Sequence, residues 1–470
     1  MSGLFGELNN GVKALTAASR SVETTSRNIA NVNNPSYARQ RVIYGDRGSV
    51  QTDIGVQSLG VEARQIQQLR DSVLDSQVVR ETSLKTSYEA EQSAYQKAQA
   101  GLGQSIDRSG GTSASGTDGS TNGLAQSLSV FFNAFQSFAA SPTDVGERQA
   151  LVQKAAILAD GFNETDQRLK QLQSDLAAQA TSDISGVNVM LQSIADLNGQ
   201  IGRFEVNQPG SAVDLRDQRQ AMVEQLATKI SIETGPDPTF AGQIQVFGRD
   251  ASNNPVQLIN LASITGPVTL SGSTVSAGSP STALVLKGGS INGTLKASDG
   301  AVATLRTNLD NFAKQLVTSV NAVYSPTGNN FFNGAGLTAG TIKLDATLNA
   351  TSLKASNGGA VGDNTVAQGI ANLASKTFAT PTDSIDGTFG QFYSKTVTDL
   401  GHALTTANSH VDSQTSIATL VKSQRDSVSG VSLDEEMADM IKFQRAFQAS
   451  ARVIQIIDDL LDTVINRLGN

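Results

Sequence analysis

The run Met437-Ala-Asp-Met440-Ile-Lys-Phe-Gln444-Arg-Ala-Phe447-Gln-Ala-Ser-Ala451-Arg-Val-Ile454 contains neither glycine nor proline, and neither returns until Gly469. Met437, Met440, Gln444, Phe447, Ala451, Ile454, Asp458, Leu461, Ile465 and Leu468 step by three and four, which lines one seam of a long helix. Phe443, Ala446, Val453, Ile457, Leu460 and Val464 make a second stripe beside it. Two adjoining stripes form an apolar face wider than a two-stranded coiled coil needs, so the helix must meet a partner helix and something more. Ser432, with Glu435 three residues on, predicts a capping box at its start.

The N-terminus answers this helix. Phe5, Leu8, Val12, Leu15, Ser19, Val22, Ser26 and Ile29 again alternate three and four, up to Asn33-Asn34-Pro35. Proline cannot continue a helix and biases the residue before it toward extended geometry, so this helix ends there. A helix with a heptad-like stripe at each end of the chain suggests that the two pair. Periodicity alone equally allows two ordinary amphipathic helices packed on one core.

Between them lies a polar, lightly aromatic chain. Of 470 residues, 39% are hydrophobic, 5% aromatic and 17% charged, with 43 glycines and no tryptophan. The length suggests about three domains of roughly 150 residues. The net charge of -8 is spread along the chain, and no basic run appears, which argues against a nucleic-acid surface. The absence of cysteine excludes disulfides, thiolate nucleophiles and Cys-based metal sites. No charged segment followed by an apolar one opens the chain, so no Sec-type signal peptide is expected. No window approaches ~20 apolar residues, and membrane insertion is not expected.

Arg39–Tyr44 and Gly55–Ala63 read as short extended pieces around glycine turns. Helix is expected from Gln65 to about Gln104, with a mostly polar face. The Gly/Ser/Thr run at 109–123 reads as a linker or loop. Leu128, Phe131, Phe132, Phe135 and Phe138 form an aromatic stripe of the kind that fills a core. Helical pieces are expected at Arg148–Phe162, Leu169–Ile201, Asp214–Lys229, Leu305–Val323, Asn364–Leu373 and Thr388–Lys422. Short β runs cut by Gly, Pro, Ser and Asn fill 231–290, with further short strands near Ile342–Leu344. The expected fold is therefore α+β, mainly α and elongated, with several domains. Terminal helices pair in a coiled-coil-like way in 1–108 and 388–470. A helical bundle occupies 124–230 and 291–325, a β-rich insertion 231–290, and mixed short elements 326–387.

Little of this carries chemistry. His402 and His410 stand eight apart, roughly 80° round one helix, with no third histidine and no carboxylate cluster. Gly288-Gly-Ser-Ile-Asn-Gly293-Thr294 echoes a phosphate loop but lacks its lysine. Asp434, Glu435 and Glu436 suit the first turn of the C-terminal helix through its dipole. Asp458, Asp459 and Asp462 read as a solvated strip. No catalytic, cofactor or metal set is predicted, so the chain is expected not to be an enzyme.

The motifs point elsewhere. Ser26-Arg-Asn28-Ile29-Ala30-Asn31-Val-Asn33, then Pro35-Ser-Tyr37-Ala-Arg39-Gln40, resembles the signature of bacterial flagellar axial proteins, the rod, hook and junction proteins. Gly430-Val-Ser-Leu433-Asp434-Glu435-Glu436-Met437, then Gln444-Arg-Ala-Phe447-Gln-Ala449, resembles that family's closing motif. Phe132–Pro142 with Arg148-Gln149, Asp214-Leu215-Arg-Asp217-Gln218-Arg219, and Gly288–Gly293 are similar to segments of its hook–filament junction members. The likeness runs along nearly the whole chain. The family usually has Thr-Pro-Gly-Tyr where this chain has Asn34-Pro35-Ser36-Tyr37.

The resemblance implies a structural protein of the flagellum, secreted without a Sec signal through the flagellar type III apparatus. It implies self-association in a ring and contacts with the hook protein, a second junction protein and an export chaperone. Terminal helices of neighbouring subunits would pack together. That assigns Leu8, Val12, Leu15, Val22 and Ile29, with Phe447, Ile454, Leu461, Ile465 and Leu468, to the subunit interface. The alternatives are another axial protein of rod or hook, or a secreted binding or hydrolytic protein with axial-type ends.

Overall fold

The computed structural model describes residues 2–46, 48–52, 55–58, 60–103, 123–240, 242–324 and 330–463. Most of the Gly/Ser/Thr run at 109–123 therefore lies outside the described residues. In chain order the elements are α1 (Ser2–Ala30), β1 (Gln40–Asp46), β2 (Ser49–Thr52), β3 (Gly55–Ser58), β4 (Val61–Gln68), α2 (Ser72–Gly101), α3 (Leu124–Ala140), α4 (Val145–Glu205) and α5 (Val213–Lys229). Then come β5 (Glu233–Pro236), β6 (Ile244–Arg249), β7 (Pro255–Asn260), β8 (Ser263–Ile264), β9 (Thr269–Ser271), β10 (Thr274–Ala277) and β11 (Thr282–Ala283). The chain closes with α6 (Ser290–Ala297), α7 (Ala303–Tyr324), α8 (Thr365–Asn372), α9 (Phe389–Ser429) and α10 (Leu433–Asp462). The fold is mainly helical with small antiparallel sheets.

Two compact units divide the chain. One comprises Met1–Lys85, Ile184–Gly289 and Gln414–Asn470; the other comprises Thr86–Asp183 and Ser290–Ser413.

The second unit is organised by phenylalanine. The α3 stripe is fully buried, and Phe131, Phe135 and Phe331 touch edge-on or tilted at 5.1–6.0 Å between centroids. Phe162 of α4 meets Phe312 of α7 at 5.2 Å, and Phe312 meets Phe389 of α9 at 5.7 Å. Each such ring contributes about 1.5–3 kcal/mol by leaving water. Near Ile342–Leu344 a single bridge from Phe332 to Leu344 stands where short strands were expected.

Arg148–Phe162 and Leu169–Ile201 belong to one 61-residue helix, α4, with no interruption. The polar residues between them find partners without leaving the helix. Asn163 donates to Ile342 O at 2.8 Å, Thr165 donates back to Gly161 O at 2.8 Å, and Asp166 accepts from Arg306 at 2.6 Å. The phosphate-loop echo at Gly288–Thr294 is a close-packing device. A Cβ on Gly293 would lie 2.0 Å from Ser87 O, and Gly289 has φ +84 with a would-be Cβ 2.4 Å from Lys229 O.

In the first unit β1 pairs antiparallel with β4 from Gln40↔Gln68 to Asp46↔Val61, with a bulge at Ile43/Tyr44. Sheet β5-β6-β7-β8 and sheet β11-β10-β9 build the strand-rich stretch. Helix was expected from Gln65, but β4 runs to Gln68 and α2 starts at Ser72. Asp71 sets that start: its carboxylate accepts from the amides of Val73 and Leu74 at 2.8 and 3.2 Å, as an N-cap does.

Candidate assembly surface

α1 and α10 lie antiparallel in the first unit. A Cβ on Gly11 would sit 3.0 Å from Ile454 Cγ1, while Asn28 Nδ2 donates to Glu436 Oε2 at 2.9 Å. Both helices rise equally per residue, so these two contacts set the whole register. Thr25 stands level with Met440, Ser21 with Phe443, Ala18 with Phe447 and Ala14 with Ser450. The seam therefore steps by three and four on both helices, but α1 lines it with small residues. Ala18, Ser21, Thr25 and Asn28 are buried there, as are Glu436 and Ile457 on the other side.

The expected stripe of α1 is displaced from this seam. Leu8, Val12, Leu15, Val22 and Ile29 each follow a seam position by one residue, about 100° round the helix. Val12 is 44% exposed, and Leu8, Leu15, Val22 and Ile29 are half-buried. On α10 the register puts Phe447, Ile454 and Leu461 on the seam, Phe447 remaining 39% exposed; Ile465 and Leu468 lie outside the described residues. Its other face carries Leu433, Met437, Ile441, Val453, Ile456 and Leu460, all between 45% and 59% exposed. Asp458, Asp459 and Asp462 are exposed. The paired helices thus join Asn28 to Glu436 internally and leave several large apolar side chains exposed.

The start of α10 differs from the expected capping box. Ser432 occupies the N-cap position without a side-chain hydrogen bond. Glu435 turns instead to Arg39 Nη1 at 2.6 Å, and Arg39 Nε donates to Glu436 Oε1 at 2.6 Å. Burial works against the charge on Arg39, but Glu436 and Glu435 outweigh it and hold the guanidinium above its ordinary range.

Asn28 is the centre of this cluster. Its amide donates to Gln40 O at 2.9 Å as well as to Glu436, and its oxygen accepts from Gln40 N at 3.0 Å and Tyr37 OH at 2.8 Å. Burial pushes the Tyr37 hydroxyl above its usual range, and the charges of Asp217 and Asp214 add to that.

Beyond Gln40 the network reaches α5. Gln40 Nε2 donates to Asp214 Oδ1 at 3.3 Å, and Gln68 Nε2 to Val213 O at 2.6 Å. Arg70 bridges Asp217 at 2.6 Å, Asp75 at 3.2 Å and Ser36 O at 3.0 Å. Burial pushes Asp217 up to about 6 despite Arg70. Arg219, brought down to about 9 by burial and by Arg216, donates to Asn198 Oδ1 and Gly242 O, both at 2.7 Å.

Three motifs far apart in sequence, 26–40, 214–219 and 430–440, therefore meet in one polar cluster. Apolar periodicity could not show this; the density of Asn, Arg, Asp and Glu within those motifs was the available signal. The histidines lie in the other unit, both exposed, with His410 tilted on Tyr88 at 4.8 Å. Among the described residues no group of three or more His, Asp or Glu could hold a metal ion, and no helix is long and apolar enough to cross a membrane.

The chain is similar to known proteins. Residues 116–332 match the family described as flagellar hook-associated protein FlgK helical domain, and residues 422–468 match the flagellar basal body rod FlgEFG protein C-terminal family. The chain is 24% identical over 530 residues to flagellar hook-associated protein 1 of Bacillus subtilis (strain 168), covering 100% of this chain and 99% of that protein. It is 23% identical over 561 residues to the protein of the same name from Escherichia coli (strain K12), covering 98% and 99%. Among solved structures, the flagellar hook junction protein FlgK from Burkholderia pseudomallei aligns with a TM-score of 0.46 at 20% identity, over 55% of this chain and 46% of that one.

Proposed function

We propose, starting from the fact that this chain belongs to the flagellar hook-associated protein 1 family, that it forms the junction between hook and filament by packing its α1–α10 hairpins side by side. Membership makes it a structural component of the bacterial flagellum at the hook–filament junction. The observation that carries the packing is the unused apolar surface. On α1 the seam is closed by small and polar residues, while Val12, Met437, Ile441, Val453, Ile456 and Leu460 face outward. Neighbouring copies bury those side chains, so Leu8, Val12, Leu15, Val22 and Ile29 serve the contacts between subunits. Phe447, Ile454 and Leu461 hold the pair of helices that presents them.

In this reading the copies close into a ring, seated on the hook protein and carrying a second junction protein on which filament is laid. An export chaperone holds the apolar ends before assembly, and the chain leaves the cell through the flagellar type III apparatus. Its work is mechanical, with no reaction catalysed. Deletion of the gene, followed by negative-stain microscopy and assay of the medium for filament protein, tests the reading. Hooks without filaments, with filament subunits lost to the medium, are expected; intact filaments would overturn it.

A further inference from the structure

Each terminal helix has two faces fit for burial, and on α1 hydrophobicity alone would choose the other one. Burying Leu8, Val12, Leu15, Val22 and Ile29 removes more apolar area from water than burying Gly11, Ala14, Ala18, Ser21 and Thr25. α10 is similarly two-sided, with Met440, Phe443, Ile454 and Ile457 turned in and Met437, Ile441, Val453 and Ile456 turned out. The inward and outward faces differ in one respect that apolar area does not capture. Only the inward pair brings Asn28 and Glu436 together, each 1% exposed, with the Gln40 backbone and Arg39 completing their hydrogen bonds.

A roll of α1 by one position would turn Asn28 away and bring Ile29 to the Glu436 carboxylate. The amide and carbonyl of Gln40 would lose their side-chain partner, and a buried charge would lose one of its donors. Buried polar groups left without partners are disfavoured strongly enough to choose between packings of similar apolar area. A buried polar pair also sets register and partner choice in coiled coils.

We infer that the Asn28–Glu436–Arg39 cluster selects which faces of α1 and α10 close on each other, and so reserves the large apolar stripe for a neighbouring copy of this chain. The second half of that statement rests on the junction reading above; the first half does not.

The chain has no cysteine, so introduced pairs report without background. In the purified full chain, Gly11→Cys with Ile454→Cys reads the native face, and Val12→Cys with Ile454→Cys reads the rolled face. Disulfide formation under mild oxidation demands close Cβ positions, so the native pair is expected to close about ten times faster than the rolled pair. With Asn28→Leu and Glu436→Leu added, the two rates should come within about twofold, because apolar replacements of a buried polar pair usually keep a protein folded. An unchanged preference overturns the inference. So does loss of both cross-links, since that makes the cluster necessary for closure rather than for the choice of face. Glu436→Gln, which keeps shape and the Asn28 bond but weakens the Arg39 pair, should give an intermediate preference; the full parental preference would count against a role for Arg39. Intact filaments in the deletion strain would defeat the junction reading and leave these rates untouched.

Discussion

Asn28 Nδ2 donates to Glu436 Oε2 across 2.9 Å, joining positions 408 residues apart in sequence. Around that bond the two ends of the chain become one structural element, and its dependence on a few polar atoms makes it easy to probe.

Asn28→Ala should destabilise the first unit by about 2 kcal/mol. It strips partners from the Gln40 backbone, Tyr37 and Glu436 at once, and unsatisfied buried groups each cost about 1–3 kcal/mol. Arg27→Ala, one residue away, removes an exposed pair with Glu23 and should cost less than about 1 kcal/mol. Urea unfolding of both variants gives the comparison, and equal effects would show that the cluster is not a stability centre.

Val12→Asp and Ile454→Asp should separate assembly from folding. Val12 is 44% exposed, so its change should leave unfolding within about 0.5 kcal/mol of the parent while blocking incorporation into flagella. Ile454 lies against Gly11 on the seam, so its charged variant should lose both hairpin stability and incorporation. Circular dichroism paired with a swimming assay reads the two. Normal swimming by Val12→Asp would remove the outward stripe from the interface.

Asp217 predicts a pH dependence of definite sign. Burial raises its folded-state value to about 6 from an ordinary 3.8, so between those values the folded chain holds a proton that the unfolded chain has released. The contribution of this group is therefore full below about pH 4 and is lost as pH rises through about 6. Measured against Asp217→Asn, the parent should lose relative stability from pH 4 to pH 6.5. Parallel pH profiles would show that Asp217 is not perturbed.

Two glycines should respond oppositely to alanine. At Gly293 a methyl group would lie 2.0 Å from Ser87 O, so the helices must part at a cost of about 1–3 kcal/mol. At Gly186, inside α4, nothing lies within 4 Å of the same methyl, and the gain in helix propensity should stabilise by about 0.5–1 kcal/mol. Thermal unfolding midpoints moving in opposite directions would meet the expectation.

Much of the fold was legible because the chain states its period plainly. The α3 phenylalanines and the strand-rich 231–290 stretch follow from spacing and glycine punctuation; spacing also marks the two terminal helices, but leaves their pairing open. Asn163–Arg168 read as a gap in α4 because the run is polar, while Asn163 and Asp166 find partners in Ile342 and Arg306, well over a hundred positions away and invisible to a local window. α2 begins at Ser72 and not at Gln65 because the Asp71 carboxylate caps the amides of Val73 and Leu74, a contact that leaves no mark on apolar periodicity.

The displaced seam of α1 is the instructive case. A hydrophobic stripe says which residues prefer to leave water, but not whether the covering surface belongs to the same chain. Leu8, Val12 and Leu15 advertise burial; Gly11, Ala14 and Ala18, one residue earlier, receive α10. The polar atoms that decide between the two faces contribute nothing to an apolar pattern.

The joining of Asn28 to Glu436 also bears on the order of events at the ribosome. When α1 emerges, the carboxylate acceptor for its Asn28 amide is still more than 400 residues from being made. Until Glu436 exists, Asn28 and Arg39 lack that carboxylate and the small-residue groove of α1 has no cover. A product broken off before that position cannot close α1 against α10, so the fate of the first helix depends on residues made more than 400 positions later.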